Sequence, residues 1–252
     1  MTIQYCSDLH LEFQENVDFL AENPVKAVGE VLVLAGDIVP FGQLKHHSEF
    51  FDFVSDNFST VYWLPGNHEY YHFDLAQKCG VLNEEIRKNV FLVNNHTVHH
   101  GDLQLIFSTL WSRISPPKQI RIQRKMNDFR LIRYNGKHFT PSDYNKLHLE
   151  SKSFLKGALK KKGATKTIVV THHVPTFRMY PKQYLGDILN EAFAVELSEM
   201  IEASRVDYWI YGHHHQAIPE FKIGNTRLVT NQLGYVAHDE HLGFKRDMSL
   251  IV

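Results

Sequence analysis

Five short apolar runs, each stopped within two residues by a polar cluster, constrain this chain more than any other feature. Ile3 to Cys6 runs into Asp8-Leu9-His10, Val31 to Leu34 into Gly36-Asp37, and Val61 to Leu64 into Gly66-Asn67-His68-Glu69. Ile168 to Val170 is followed by Thr171-His172-His173, and Tyr208 to Tyr211 by Gly212-His213-His214-His215. Runs this short, rich in β-branched and aromatic residues and lacking polar alternation, read as strands buried on both faces. Helical spacing fills the gaps between them. Leu44, His47, Phe51, Val54 and Phe58 form one apolar stripe, and Leu147, Ser151, Phe154, Leu155 and Ala158 another within Ser142 to Lys162, where Lys160-Lys161-Lys162-Gly163 marks the helix end. Strands alternating with helices predict an α/β fold.

Other segments complete the outline. Val17, Leu20 and Ala21 could line a short helix, although residues 12 to 29 lack strong periodicity. Asp74 as N-cap, followed by Leu75, Cys79, Leu82 and Ile86, predicts a further helix, and Phe193, Leu197, Met200 and Ile201 predict another. Val90 to Val93, Thr97 to His100 and Leu103 to Phe107 read as short strands, and Ala217 to Phe221 with Thr226 to Val229 as a hairpin about Gly224-Asn225. Residues 112–141 carry Pro116-Pro117 and many basic residues without a sustained period, which predicts a surface excursion or lid. At 252 residues with 43% hydrophobic content, we expect a single domain, 1–252.

Charge and cysteine usage exclude several function classes. With 27 basic and 28 acidic residues the formal charge is -1, so nothing global favours nucleic acid or an anionic membrane surface. No basic n-region precedes an apolar run at the N-terminus and no run approaches a membrane span, so we expect a soluble, cytoplasmic protein. Cys6 and Cys79 show no zinc-ribbon spacing and read as free thiols. Several of the 17 histidines are clustered, at His46-His47, His99-His100, His172-His173 and His213-His214-His215; the first two pairs read as surface or interface positions.

If the five strands lay in one sheet, their polar clusters would converge at its carboxyl edge, where open α/β sheets place their sites. Aspartates, an asparagine and imidazoles are poor core filling, because unpaired polar groups are costly to bury. Mixed oxygen and nitrogen donors without thiolate suit Mn, Fe, Zn or Co. Asp8 and His10, and again His213 and His215, are i and i+2 neighbours that can face a common ion. Two such pairs imply two ions.

Taken in order, Asp8-Leu9-His10, Gly36-Asp37, Gly66-Asn67-His68-Glu69, His172 and Gly212-His213-His214-His215 resemble the calcineurin-like metallophosphoesterase superfamily. The resemblance implies a four-layer αββα sandwich, two mixed β-sheets flanked by helices, with a two-metal centre at the strand ends. It implies that Asp8, His10 and His215 bind one ion, Asn67, His172 and His213 the other, and Asp37 bridges them. His68 stays off the metals and assists as general acid or as a cation, while Glu69, His173 and His214 lie behind the ligands or against substrate. Two ions ~3.5–4 Å apart would clamp a phosphate and lower the pKa of a bound water enough for it to attack.

Departures from the superfamily pattern narrow the substrate. Its protein phosphatases carry Asp-Arg-Gly after the bridging aspartate and an arginine before Gly-Asn-His-Glu; here Ile38-Val39-Pro40-Phe41-Gly42 and Leu64-Pro65 stand instead. Its nucleases add a capping domain and a basic surface that this chain lacks room for. Small phosphomonoesters, phosphodiesters or nucleotides fit best, and the alternatives are a metal-dependent nuclease or a non-catalytic scaffold for protein contact. Thr109-Leu110-Trp111-Ser112, Met126-Asn127-Asp128-Phe129-Arg130 and Asn231-Gln232-Leu233-Gly234-Tyr235 are similar to a small-bodied bacterial branch.

Overall fold

A computed structural model describes residues 1–161 and 164–252. All five apolar runs are strands, but they are divided between two sheets rather than gathered in one. The first sheet has the order Ser249–Ile251, Thr2–Cys6, Val31–Ala35, Thr60–Leu64, Val90–Asn94, Leu82–Arg87. The second runs Phe221–Ile223, Thr226–Val229, Tyr208–Ile210, Lys166–Thr171, Leu103–Ser108, His96–His100. Four parallel strands form the middle of each sheet, and the strand at either edge is antiparallel.

Alternation along these apolar runs sorts their side chains into three cores. Ile3, Tyr5, Val31, Val33, Leu105, Phe107, Ile168 and Val170 meet between the two sheets. On the outer face of the first sheet, Leu32, Leu34, Val61 and Trp63 pack on Phe51 and Val54 of the helix Ser48–Asn57. Outside the second, Ile106, Val169 and Trp209 pack on Leu155 and Ala158 of the helix Pro141–Ala158 and on Ile201. Strands covered on both faces must be apolar on both, which is why their sequences do not alternate. The result is the αββα sandwich that the resemblance implies.

Several local expectations change. The helix expected after Asp74 is one 3₁₀ turn, Leu75–Gln77, capped by the Asp74 carboxylate on the Ala76 amide at 3.0 Å. Gly80, at φ 72°, then turns the chain into the edge strand Leu82–Arg87. Leu82 and Ile86 are four apart, a spacing shared by one helix face and one strand face, so periodicity alone could not separate the two. The helix expected around Phe193 to Ile201 is two short ones, Asn190–Phe193 and Ser198–Glu202. Between them the Val195 amide donates to the Val174 carbonyl at 3.0 Å, and this ties the chain to the loop that follows His173. The helix Pro141–Ala158 stops before the lysine run, and Lys162 and Gly163 lie outside the described residues.

Residues 112–141, expected as a surface excursion or lid, carry part of the core. Ile114, Ile122, Met126, Phe129, Ile132 and Phe139 are all buried and join the core outside the first sheet. The segment folds as Gln119–Lys125, Asp128–Leu131 and a two-residue ladder, Arg133–Tyr134 with Lys137–His138. Its irregular hydrophobic spacing reflects three short elements rather than a loop.

Candidate metal centre

The carboxyl ends of three strands of the first sheet and two of the second meet at one edge of the sandwich. Backbone bonds fasten these ends together: the Asp8 amide donates to the Gly36 carbonyl at 2.9 Å, His10 to Asp37 at 3.0 Å, and Gly212 to His172 at 3.0 Å. The Asp8 carboxylate crosses between the sheets to accept from the His213 amide at 3.0 Å. Asp8, His10, Asp37, His213 and His215 all have positive φ, between 47° and 81°. Non-glycine residues rarely hold this conformation, and it costs free energy wherever it occurs. Period-two extension is therefore not what aims these side chains inward; left-handed turns at the strand ends do so.

Small residues make the necessary space. A Cβ on Gly66 would lie 2.6 Å from His172 Nε2, and one on Gly212 would lie 2.6 Å from Asp8 Oδ2. Any side chain at either position would displace a donor.

Two buried donor groups share Asp37. One comprises Asp8, His10, Asp37 and His215; the other Asp37, His172 and His213. His10 Nε2 lies 2.9 Å from His215 Nε2, which is 3.4 Å from Asp8 Oδ1. His172 Nε2 lies 3.2 Å from Asp37 Oδ2, 3.3 Å from Asn67 Oδ1 and 3.1 Å from His213 Nδ1. The structure thus brings the sequence-predicted residues together at one edge, with His213 and His215 in different groups rather than facing one ion as their spacing suggested; a third group, His10, Glu12 and His68, shares His10 with the first.

The outer nitrogen of each ring fits a cation-binding role. His10 Nδ1 faces Glu12 at 3.0 Å, His215 Nδ1 faces Glu240 at 2.7 Å, His172 Nδ1 faces the Ala35 carbonyl at 3.0 Å, and His213 Nε2 faces the Ala192 carbonyl at 3.4 Å. Each oxygen accepts, so a ring in its neutral form keeps its proton outward and turns its lone pair to the centre, the form that would bind a cation. Burial raises the Asp8 and Asp37 carboxyls, but the histidines around them prevail and hold both below the ordinary range, Asp37 well below it. Burial likewise lowers His172 and His215, yet the facing carboxylates prevail and push them up to about 9 and about 10. A field that favours protons here favours metal cations equally.

His68 sits beside this centre. Its Nδ1 is 2.7 Å from Glu12 Oε1, its ring stacks on Tyr71 at 4.0 Å, and its Nε2 is 3.4 Å from the Tyr235 hydroxyl. Burial lowers its pKa, but the charges of Asp37 and Glu12 outweigh burial and the net shift is upward. Glu69 does not reach the His68 ring. Its two oxygens accept from the Gly66 amide at 2.6 Å, Ile38 at 2.7 Å, Asp37 at 3.0 Å and Trp63 Nε1 at 3.0 Å, which locks the ends of two strands together. His173 turns away toward the Thr109 carbonyl at 3.2 Å, so geometry favours His172 over it as a donor to the centre. His214 accepts from Gln232 Nε2 at 3.0 Å and lines the cleft. His46 and His47 are in a 3₁₀ turn and His99 and His100 on an edge strand; none belongs to a donor group among the described residues.

With this geometry in place, the family comparison is decisive: the calcineurin-like phosphoesterase model matches residues 1–217. The chain belongs to that family. An uncharacterized protein of Acanthamoeba polyphaga mimivirus is 31% identical over 261 residues, spanning 92% of this chain and 91% of its own. Among solved structures, the phosphopantetheinyl hydrolase PptH of Mycobacterium tuberculosis superposes with a TM-score of 0.74 at 15% identity, covering 99% of this chain and 95% of that one.

The calcineurin-like centre has supports that the motifs did not reveal. Glu12 joins His10 to His68 through one carboxylate oxygen; burial pushes it up, but these hydrogen bonds prevail and bring it down to about 2. It stands two residues after His10, the same i and i+2 relation used above, and could have been found by extending it. Asp128 accepts from Asn67 Nδ2 at 3.1 Å and from the Tyr71 hydroxyl at 2.9 Å, orienting the Asn67 amide. It comes from the 112–141 segment, within the Met126-Asn127-Asp128-Phe129-Arg130 stretch noted for its likeness to a bacterial branch, a likeness that gave Asp128 no role of its own. Tyr235 and Glu240, from the tail, close the opposite side.

Proposed function

We propose that this protein is a dinuclear-metal phosphoesterase acting on a small phosphomonoester, phosphodiester or nucleotide. The observation that carries the reading is the Asp37 carboxylate shared between two buried donor groups, as a bridge between two ions requires. Asp8, His10 and His215 would hold one ion with Asp37, and Asn67, His172 and His213 the other. When bound, Mn, Fe, Zn or Co ions would polarise the phosphoryl oxygens and supply a nucleophile at neutral pH.

The chain's own residues do the rest. Glu12 fixes the His68 ring with Nδ1 occupied, leaving Nε2 on the cleft side to give a proton to the departing oxygen or to balance its charge. Tyr71 holds that ring by stacking. Asp128 keeps Asn67 Oδ1 turned to the centre, and Glu69 keeps Asp37 in register with Gly66. A pure scaffold has no use for a His68–Glu12 pair held in this way.

Mn-loaded protein is expected to hydrolyse a chromogenic aryl phosphate, mono- or diester, and Asp37→Asn to remove that activity. No turnover in the loaded wild type, or turnover indifferent to Asp37→Asn, contradicts the proposal.

A further inference from the structure

The cleft above the centre has a volume of about 720 Å³ and almost no fixed positive charge. Among the described residues, Lys125 is the only lysine or arginine that lines it, against Glu12, Asp37, Asp128, Asp187 and Glu240. Lys125, at the end of the helix Gln119–Lys125, and Asp187 are both exposed, and solvent screens both. Glu12 is paired with His10 and His68, and Glu240 with His215, so beyond His68 and the bound ions the wall offers a phosphate no buried lysine or arginine.

Beside polar Gln43, Asn127 and Asn190, much of the remaining wall is apolar or aromatic: Tyr71, Tyr180, Tyr184, Leu189, Phe193 and Tyr235. Tyr184, Leu189 and Phe193 are only half-buried, so ring and aliphatic surface is open to a ligand. A dianionic monoester would find no arginine or buried lysine to hold its second charge, whereas a diester carries one charge fewer and a second organic arm that this wall can cover. Resting on the phosphoesterase reading above, we propose that the site is specific for small, singly charged phosphodiesters, with an apolar or aromatic arm laid along Tyr184, Leu189 and Phe193.

Two comparisons on Mn-loaded protein test this. The first is kcat/KM for bis(4-nitrophenyl) phosphate against 4-nitrophenyl phosphate, expected to favour the diester by about tenfold or more. The second is calorimetric binding of two ligands that cannot be hydrolysed, diphenylphosphinate with one charge and phenylphosphonate with two. The phosphinate is expected to bind about tenfold tighter, and Tyr184→Ala to weaken it severalfold. Gln43→Arg, which adds a guanidinium to the cleft wall, is expected to narrow the diester preference by improving the monoester. Monoester preference together with tighter phosphonate binding overturns the proposal, as does faster cleavage of a single-stranded oligonucleotide than of the small diester. Absence of turnover on both esters contradicts the phosphoesterase reading instead, and the calorimetric ranking then still decides the charge preference.

Discussion

Glu69 shows how much a single side chain contributes at the site without touching it. Four N–H groups from two strand ends and one tryptophan converge on its carboxylate. Replacing it with alanine leaves all four buried donors unpaired, so Glu69→Ala is expected to lose at least about 3 kcal/mol of stability, measured by urea denaturation; a loss under about 1 kcal/mol contradicts the role assigned to it. His68 is the opposite case: the proposed function gives it a part in the chemistry rather than in tying strand ends together. His68→Ala should lower kcat by about 10²- to 10⁴-fold while bound metal remains unchanged; loss of metal along with activity would mean that His68 is itself a ligand. The identity of these residues was legible because amide, imidazole and carboxylate are rare neighbours after an apolar run. Their conformations were not, since left-handed turns at Asp8, Asp37 and His213 have no compositional mark when the residue is not glycine.

Strands were read more reliably than helices because burial on both faces leaves a continuous apolar run, whereas four-residue spacing fits two elements equally. Leu82 and Ile86 show this, and only Gly80 and pairing with Val90–Asn94 decide it. The helix Pro141–Ala158 carries a complete capping box, Thr140 Oγ1 accepting from the Asp143 amide and Asp143 from the Thr140 amide. Thr140→Ala should therefore cost about 1 kcal/mol, read as a lowered denaturation midpoint with unchanged slope. The same helix presents His148, whose Nδ1 donates to the Trp111 carbonyl at 2.8 Å. Burial lowers its pKa, and the hydrogen bond to Trp111 only partly offsets that. The ring stays neutral when folded, while the unfolded chain takes up a proton as pH falls through the ordinary imidazole range near 6.5. Its contribution is thus full above that range and lost below it. His148→Asn keeps a donor for Trp111 without the titration, so the acid-side fall in melting temperature should be shallower than in the wild type; an identical profile contradicts the argument.

At the scale of the molecule, the two sheets explain why five polar clusters separated by up to about two hundred residues can share one centre. Reading the strands as one sheet gave the right edge for the wrong reason. Strand runs carry no record of which sheet they join, and that information came only with the family's order of motifs. The sandwich brings three clusters from one sheet and two from the other to a common rim, with Asp37 between them. No helix of the described residues is long and apolar enough to cross a membrane. The most direct test of the account is the number of transition-metal ions bound per chain, measured by elemental analysis after reconstitution with Mn. The account predicts about two in the wild type; a single ion, or none, contradicts the shared centre.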